Sequence, residues 1–369
     1  MIYLDHNATT PLHKAVKSKM DEYCHLPLNP SSVHANGRLA KALIEQARKH
    51  IANLVGVEEY GRDYQITFTS SGTESNNLIL SNYLDGEIFI SSIEHLSIYA
   101  FTKLYPNVTI IDVDENGILN LEHIESRLAQ SKMKKKLVSV MLANNETGIL
   151  QPVKEIAAIA HKYGAQMHSD CVQAIGKIDI NIADLDLDFA TISSHKFGGP
   201  TGVGALVRKA NFHLNPMIIG GGQERSLRSG SENVLAILGF GEAANIASQE
   251  LIERQTHMSM LRDKLETELI NNCYNIEIVG KNTKRLPNTS LIITNGKTAE
   301  IQLIAFDMKN IAISAGSACS SGKVGKSHVL SAMGYSSEKV ACGIRISLGY
   351  SNTLDDINHF LEIYKELNK

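Results

Sequence analysis

The chain is predicted to fold as an α/β protein whose main lobe holds a mainly parallel seven-stranded sheet, with a smaller α+β lobe after it. Three observations predict this. Short apolar runs alternate with helical patterns through the middle of the sequence, the 369 residues exceed what one hydrophobic core usually organises, and the texture changes after about Gly241.

The predicted strands of the main lobe are Ile66–Ser70, Glu87–Ser92, Val108–Val113, Leu137–Asn144, Gln166–Asp170, Phe189–Ser193 and Gly204–Arg208. Each is rich in Ile, Val, Thr or Phe and is bounded by turn residues. Helices are expected between several of them. The clearest early one is Leu39–Leu54, with Leu39, Leu43, Ala47, Ile51 and Leu54 on one face and Gly56 past its end. Such alternation favours a parallel sheet covered on both faces. Beyond Gly241 a long helical stretch from Glu242 to about Asn271 leads into strands Ile276–Val279, Thr289–Thr294, Ile311–Ser314 and Ile344–Ser347. A last helix is expected from near Thr353.

Composition narrows the function. Lysine plus arginine (36) nearly balances aspartate plus glutamate (39), so neither nucleic acid nor a membrane surface is indicated as partner. The run Lys132–Lys136 reads as a solvated turn. No apolar stretch is long enough for a signal peptide or a membrane span. Five scattered cysteines, with no CxxC pair, argue against a disulfide framework and against a metal site. A reducing cytoplasm is the expected location.

The chemistry gathers at strand ends. In Ser193-Ser194-His195-Lys196-Phe197-Gly198-Gly199 a strand closes on a lysine before a glycine-rich turn, a position suited to Schiff-base formation. Gly199, Gly202 and Gly204 are spaced somewhat like a dinucleotide fingerprint, but they lead into a strand and open no helix. Asp170 and Gln173 end a second strand, where an aspartate can hold a protonated pyridine nitrogen or merely cap a helix. Ser71-Gly72-Thr73 follows a third strand and opens a helix, as an anion cradle does. His95 and Asn145 close two more. Cys319 stands in Gly316-Ser317-Ala318-Cys319-Ser320-Ser321-Gly322, a segment nearly empty of apolar side chains, with Lys323, Lys326 and His328 close by to favour a thiolate. Cys171, Cys273 and Cys342 sit in apolar or strand-end contexts and read as structural.

These segments, together with Asp5-His6-Asn7-Ala8-Thr9-Thr10, Asn29-Pro30-Ser31-Ser32-Val33-His34, Asn144-Asn145-Glu146-Thr147-Gly148 and Arg228-Ser229-Gly230-Ser231-Glu232-Asn233, resemble the group I cysteine desulfurases of the NifS/IscS type nearly end to end. Those belong to the class V aminotransferase-like enzymes of fold-type I, which use pyridoxal 5'-phosphate. The resemblance implies that Lys196 carries the cofactor and moves the α-proton, His95 stacks on its ring, Asp170 pairs with the ring nitrogen and Gln173 faces the ring oxygen. It also implies that Gly72, Thr73, Ser193 and His195 hold the phosphate, while Ser231 reaches the phosphate of a second subunit in a homodimer. Asn145 would contact the cofactor and, with Arg345, bind the carboxylate of L-cysteine; a guanidinium suits this because its planar fork grips two oxygens. The implied products are alanine and a persulfide on Cys319. That persulfide would go to an acceptor such as an iron–sulfur scaffold, the one setting in which Cys319 would touch a metal cluster.

The implied division is a large lobe of residues 15–250 and a small one of 1–14 and 251–369. Cys171, Ser231 and Ser226 depart from alanine, threonine and glycine, common at those positions in the family, and the tail after the last helix is shorter than in IscS-type members. A selenocysteine lyase, another class V enzyme, and a non-catalytic sulfur-relay subunit are the rival readings. Retention of both Lys196 and Cys319 weighs against the last.

Overall fold

The computed structural model describes residues 1–57, 63–316 and 326–368. Its strands are β1 (Ile2–Tyr3), β2 (Tyr64–Thr69), β3 (Glu87–Ser91), β4 (Val108–Ile111), β5 (Lys136–Ser139), β6 (Gln166–Asp170), β7 (Phe189–Ser193), β8 (Gly204–Lys209), β9 (Ile276–Ile278), β10 (Thr289–Thr294), β11 (Ile311–Ala312), β12 (Ser314–Ala315) and β13 (Gly343–Ser347). Seven of them form one sheet in the order β2-β8-β7-β6-β5-β3-β4. Only β8 runs against the others, so the carboxyl ends of β2, β3, β5, β6 and β7 share one edge.

Both faces of this sheet are dry, as the unbroken apolar runs predict. Alternate residues divide between two cores. Phe89, Val138, Ala190, Ile192, Ala205 and Val207 face the helices Ala35–Leu54, Val153–Lys162 and Val234–Gln249. Ile88, Ile90, Leu137, Phe189 and Leu206 face the helix Gly72–Ser81 and the short turns after β3. The first face is packed tightly: a Cβ on Gly241 would lie 2.4 Å from Cα of Ala47, so two helices touch there backbone to backbone.

The C-terminal sheet has the order β12-β13-β10-β9 and is antiparallel throughout. Ile292, Ile344 and Ile346 pack on one side against the helices Leu251–Asn272 and Leu354–Leu367. The N-terminus joins this region, because β1 pairs in parallel with β11 and Asp5 bridges to Ser347.

Three expectations need correcting. The run Leu137–Asn144 is a strand only to Ser139, although Val140 and Leu142 still donate to the carbonyls of His168 and Asp170. Ile311–Ser314 is two strands, β11 and β12, which join different sheets; periodicity alone does not reveal such a change of partner. The single helix expected from Glu242 is two, Val234–Gln249 and Leu251–Asn272, broken at Glu250. The first begins early, at an Asn233 cap, and is apolar nearly all round, so it lacks the stripe that marks a half-buried helix. Among the described residues no helix is long and apolar enough to cross a membrane, and no group of three metal-ligating side chains comes together.

Candidate active site

A cleft of about 300 Å³ opens where the carboxyl ends of the parallel strands meet the N-terminal segment and β13. Its lining brings together Gly72, Thr73, His95, Asn145, Asp170, Gln173, Ser193, His195, Lys196 and Arg345, ten of the residues singled out from sequence. Ser231 is exposed and does not line the cleft of its own chain. Cys319 and Lys323 lie outside the described residues.

Lys196 follows β7 in a short 3-10 turn, and its Nζ donates to the carbonyls of Asn7 (2.7 Å) and Ala8 (2.9 Å). Burial, reinforced by Lys196 next door, pushes the His195 imidazole down to about 4 and keeps it neutral. The His195 Nδ1 lies 3.1 Å from Thr9 Oγ1.

Asp170 and His95 are joined by a relay that the sequence reading overlooked. Asn76 spends one amide hydrogen on Asp170 Oδ2 and the other on Ser97 Oγ, both at 2.8 Å. Ser97 Oγ lies 2.8 Å from His95 Nδ1, and the Ser97 N–H donates to that same nitrogen. The proton of the neutral His95 ring therefore sits on Nε2. Burial, with Lys196 acting in the same direction, lowers the His95 pKa despite Asp170. Asp170 Oδ1 accepts the Val172 N–H, an Asx turn that holds the carboxylate at the strand end.

Gly72 begins the helix Gly72–Ser81, whose Ser71 cap accepts the Glu74 N–H. A helix start leaves its first amides without intrahelical partners, and here they border the cleft beside Ser193 and His195. Close packing forces glycine nearby: a Cβ on Gly204 would fall 2.6 Å from the carbonyl carbon of Ser71.

Arg345 comes from β13 of the other sheet. It is 2% exposed, and donates to Asn145 O at 3.0 Å and to Asp5 Oδ1 at 2.7 Å. Its Nε has no protein partner, so guanidinium donors remain for a ligand. The Asn76 Oδ1 is likewise buried and unpartnered.

Two buried carboxyls, Glu94 beside His95 and Glu146 beside Asn145, lie behind the cleft. Burial pushes Glu94 up to about 8 and Glu146 up to about 7. Glu94 accepts from Ser91 Oγ and Met141 N; Glu146 accepts from Ser327 Oγ at 2.5 Å. His328 Nε2 lies 2.9 Å from the Glu94 carbonyl, and burial lowers its pKa. Burial also pushes the Cys171 thiol up to about 12, which makes it inert, and Cys342 is buried too.

A strand-end lysine, an aspartate held by an amide, a helix start and a forked cation on the opposite wall are the set that a Schiff-base enzyme on an open α/β sheet requires. The comparisons agree. The Aminotransferase class-V family model matches residues 2–360, and the chain belongs to that family of pyridoxal-phosphate enzymes. It is similar to cysteine desulfurase IscS of Dictyoglomus turgidum (35% identical, covering 99% of this chain and 94% of the relative). It is also similar to cysteine desulfurase IscS 1 of Archaeoglobus fulgidus (39%, covering 98% and 96%). Among solved structures, a NifS-like protein from Rickettsia africae superposes with a TM-score of 0.95 at 50% identity, covering 100% of this chain and 99% of that one.

The residues fit the family's cofactor. The cleft has the size of a small-molecule site, offers an amine and a carboxylate, and leaves the buried polar atoms Asn76 Oδ1 and Arg345 Nε without protein partners.

Proposed function

We propose that this protein is a pyridoxal-phosphate-dependent cysteine desulfurase that converts L-cysteine to L-alanine and leaves the sulfur as a persulfide on Cys319. The observation that carries the reading is the meeting of Lys196, Asp170 and Arg345 around one cleft, in a chain that also has a cysteine in a small-residue segment. When bound, pyridoxal phosphate supplies an electron sink for charge developing on the substrate carbon.

The chain's own residues do the rest. Lys196 tethers the cofactor and moves the substrate α-proton. His95, Asp170 and Gln173 would hold its ring, through stacking, the ring nitrogen and the ring oxygen respectively. Gly72, Thr73, Ser193 and His195 hold the phosphate. Asn145 and Arg345 orient the substrate carboxylate. The Cys319 thiolate takes the sulfur: the carbon–sulfur bond breaks, a sulfur–sulfur bond forms, and the electron pair left on carbon takes up a proton to give alanine.

A homodimer in which Ser231 reaches the second subunit's phosphate belongs to the same proposal. So do a large lobe of residues 15–250 with a small lobe of 1–14 and 251–369, a cytoplasmic location, and an acceptor such as an iron–sulfur scaffold. The test is alanine formation from cysteine with no keto acid present. Stoichiometric alanine and a persulfide trapped on Cys319 are expected, and Cys319→Ala is expected to keep the visible cofactor band while losing the persulfide. A strict requirement for a keto acid would make the protein a transaminase and sink the proposal.

A further inference from the structure

Beneath the cleft lies a second lysine to which the desulfurase reading gives no task. Lys177 is 4% exposed, and its Nζ donates to Asn7 Oδ1 at 2.8 Å and to Gln173 Oε1 at 2.9 Å. No carboxylate among the described residues pairs with it. Its charged surroundings are the cations Lys196 and Arg345, with His6 close by. Burial first, and those two cations second, push its amine well below the usual lysine range.

The consequence falls on Gln173. Its Oε1 faces Lys177, so the opposite end of the amide must be the NH₂ group. One of those hydrogens goes to the Asn7 carbonyl at 2.9 Å, which leaves the other for the cleft. A reversed amide would set a donor against the Lys177 donor and an acceptor against the Asn7 carbonyl, leaving buried groups unsatisfied. The Asn7 side chain is fixed in the same way: Oδ1 accepts from Lys177 and Asn288, while Nδ2 donates to Asn145 O and Thr289 Oγ1.

We infer that Lys177 is a positioning residue that locks the side-chain amide of Gln173 as a hydrogen-bond donor to the cleft, so that the ligand atom opposite it is an acceptor. The inference rests on the proposed function, which puts the cofactor's ring oxygen at that point. A donor there stabilises the anionic form of that oxygen, and its loss raises the pH at which the bound cofactor gives up its proton.

The experiment is a pH titration of the visible absorbance of protein loaded with pyridoxal 5'-phosphate, without substrate. Lys177→Met is expected to raise the midpoint by about one pH unit, the scale of one hydrogen bond to a charged group. Gln173→Met is expected to give a similar rise, and the double variant no more than either alone, because the two residues act through one contact. A Lys177→Met titration that superimposes on the wild type would overturn the inference, as would additive shifts in the double variant. If Lys177→Met does not fold, Lys177→Gln, whose donor stops one bond short of Gln173, is titrated in its place. A raised midpoint then supports the role and an unmoved one ends it. Loaded wild-type protein with no visible band would sink the proposed function instead. A normal band and normal alanine formation, with unmoved Lys177 variants, would sink only this inference.

Discussion

The two walls of the cleft are built on different plans. One is the edge of the seven-stranded sheet, where the Asn76–Ser97 relay joins Asp170 to His95 and Lys196 donates to the Asn7 and Ala8 carbonyls. The other is Arg345, carried on the antiparallel sheet and braced by Asp5 and Asn145, respectively 340 and 200 residues away in sequence. Under the proposed function the groups that do the chemistry stand on the edge of one sheet, whereas the arginine that would bind the carboxylate is carried to them on the other. Damage to the first wall is expected to act on the chemical step, and damage to the second on substrate binding.

The largest effect is expected for Lys196→Ala. Turnover should fall by about four orders of magnitude, the upper range for a positioned acid–base group, and the visible lysine-bound band should disappear. Normal turnover in that variant would break the assignment of the first wall. Arg345→Lys keeps the charge and loses the fork, and kcat/KM for cysteine should drop about 10- to 100-fold, mainly through KM. A fall in kcat with KM unchanged would move Arg345 into the chemistry and erase the contrast between the walls. Asn76→Ala removes the link between Asp170 and His95. A loss of about tenfold in kcat is expected, near 1.4 kcal/mol, with KM little changed.

The smallest effect concerns stability. Burial holds Glu94 protonated to about pH 8, while the unfolded chain ionises it near the ordinary glutamate value of 4.5. A group whose acid form is favoured by folding costs stability as pH rises from about 4.5 to about 8, and nothing further above that. Glu94→Gln should therefore flatten the fall in denaturation free energy across that window. An unchanged slope in urea titrations at pH 5, 6, 7 and 8 would show that Glu94 is not held in its neutral form.

The first wall was legible in the sequence because each of its members follows a strand of strong β pattern, and ligands collect at such ends. Gly72, His95, Asp170 and Lys196 could be placed on that ground alone. Asn7, Ser97 and Lys177 could not. Asn7 matters through contacts with residues 138 to 340 positions away, and Lys177 looks like an ordinary lysine after a glycine until burial shows what it faces. The helix at Val234 hid its start because a helix apolar nearly all round has no polar face to set its period.

The pairing of β1 with β11 carries a consequence for how the molecule is made. Ile2 lies beside Ile311, and Asn7 binds Ser347, so residues 2–7 settle only when more than 300 residues made after them have followed. Contacts of such long sequence separation close late. A nascent chain that has emerged only as far as residue 310 already holds Lys196, Asp170 and His95. It still lacks the strand that receives β1 and the arginine that faces them, so an unfinished enzyme has no complete cleft in which to begin its chemistry.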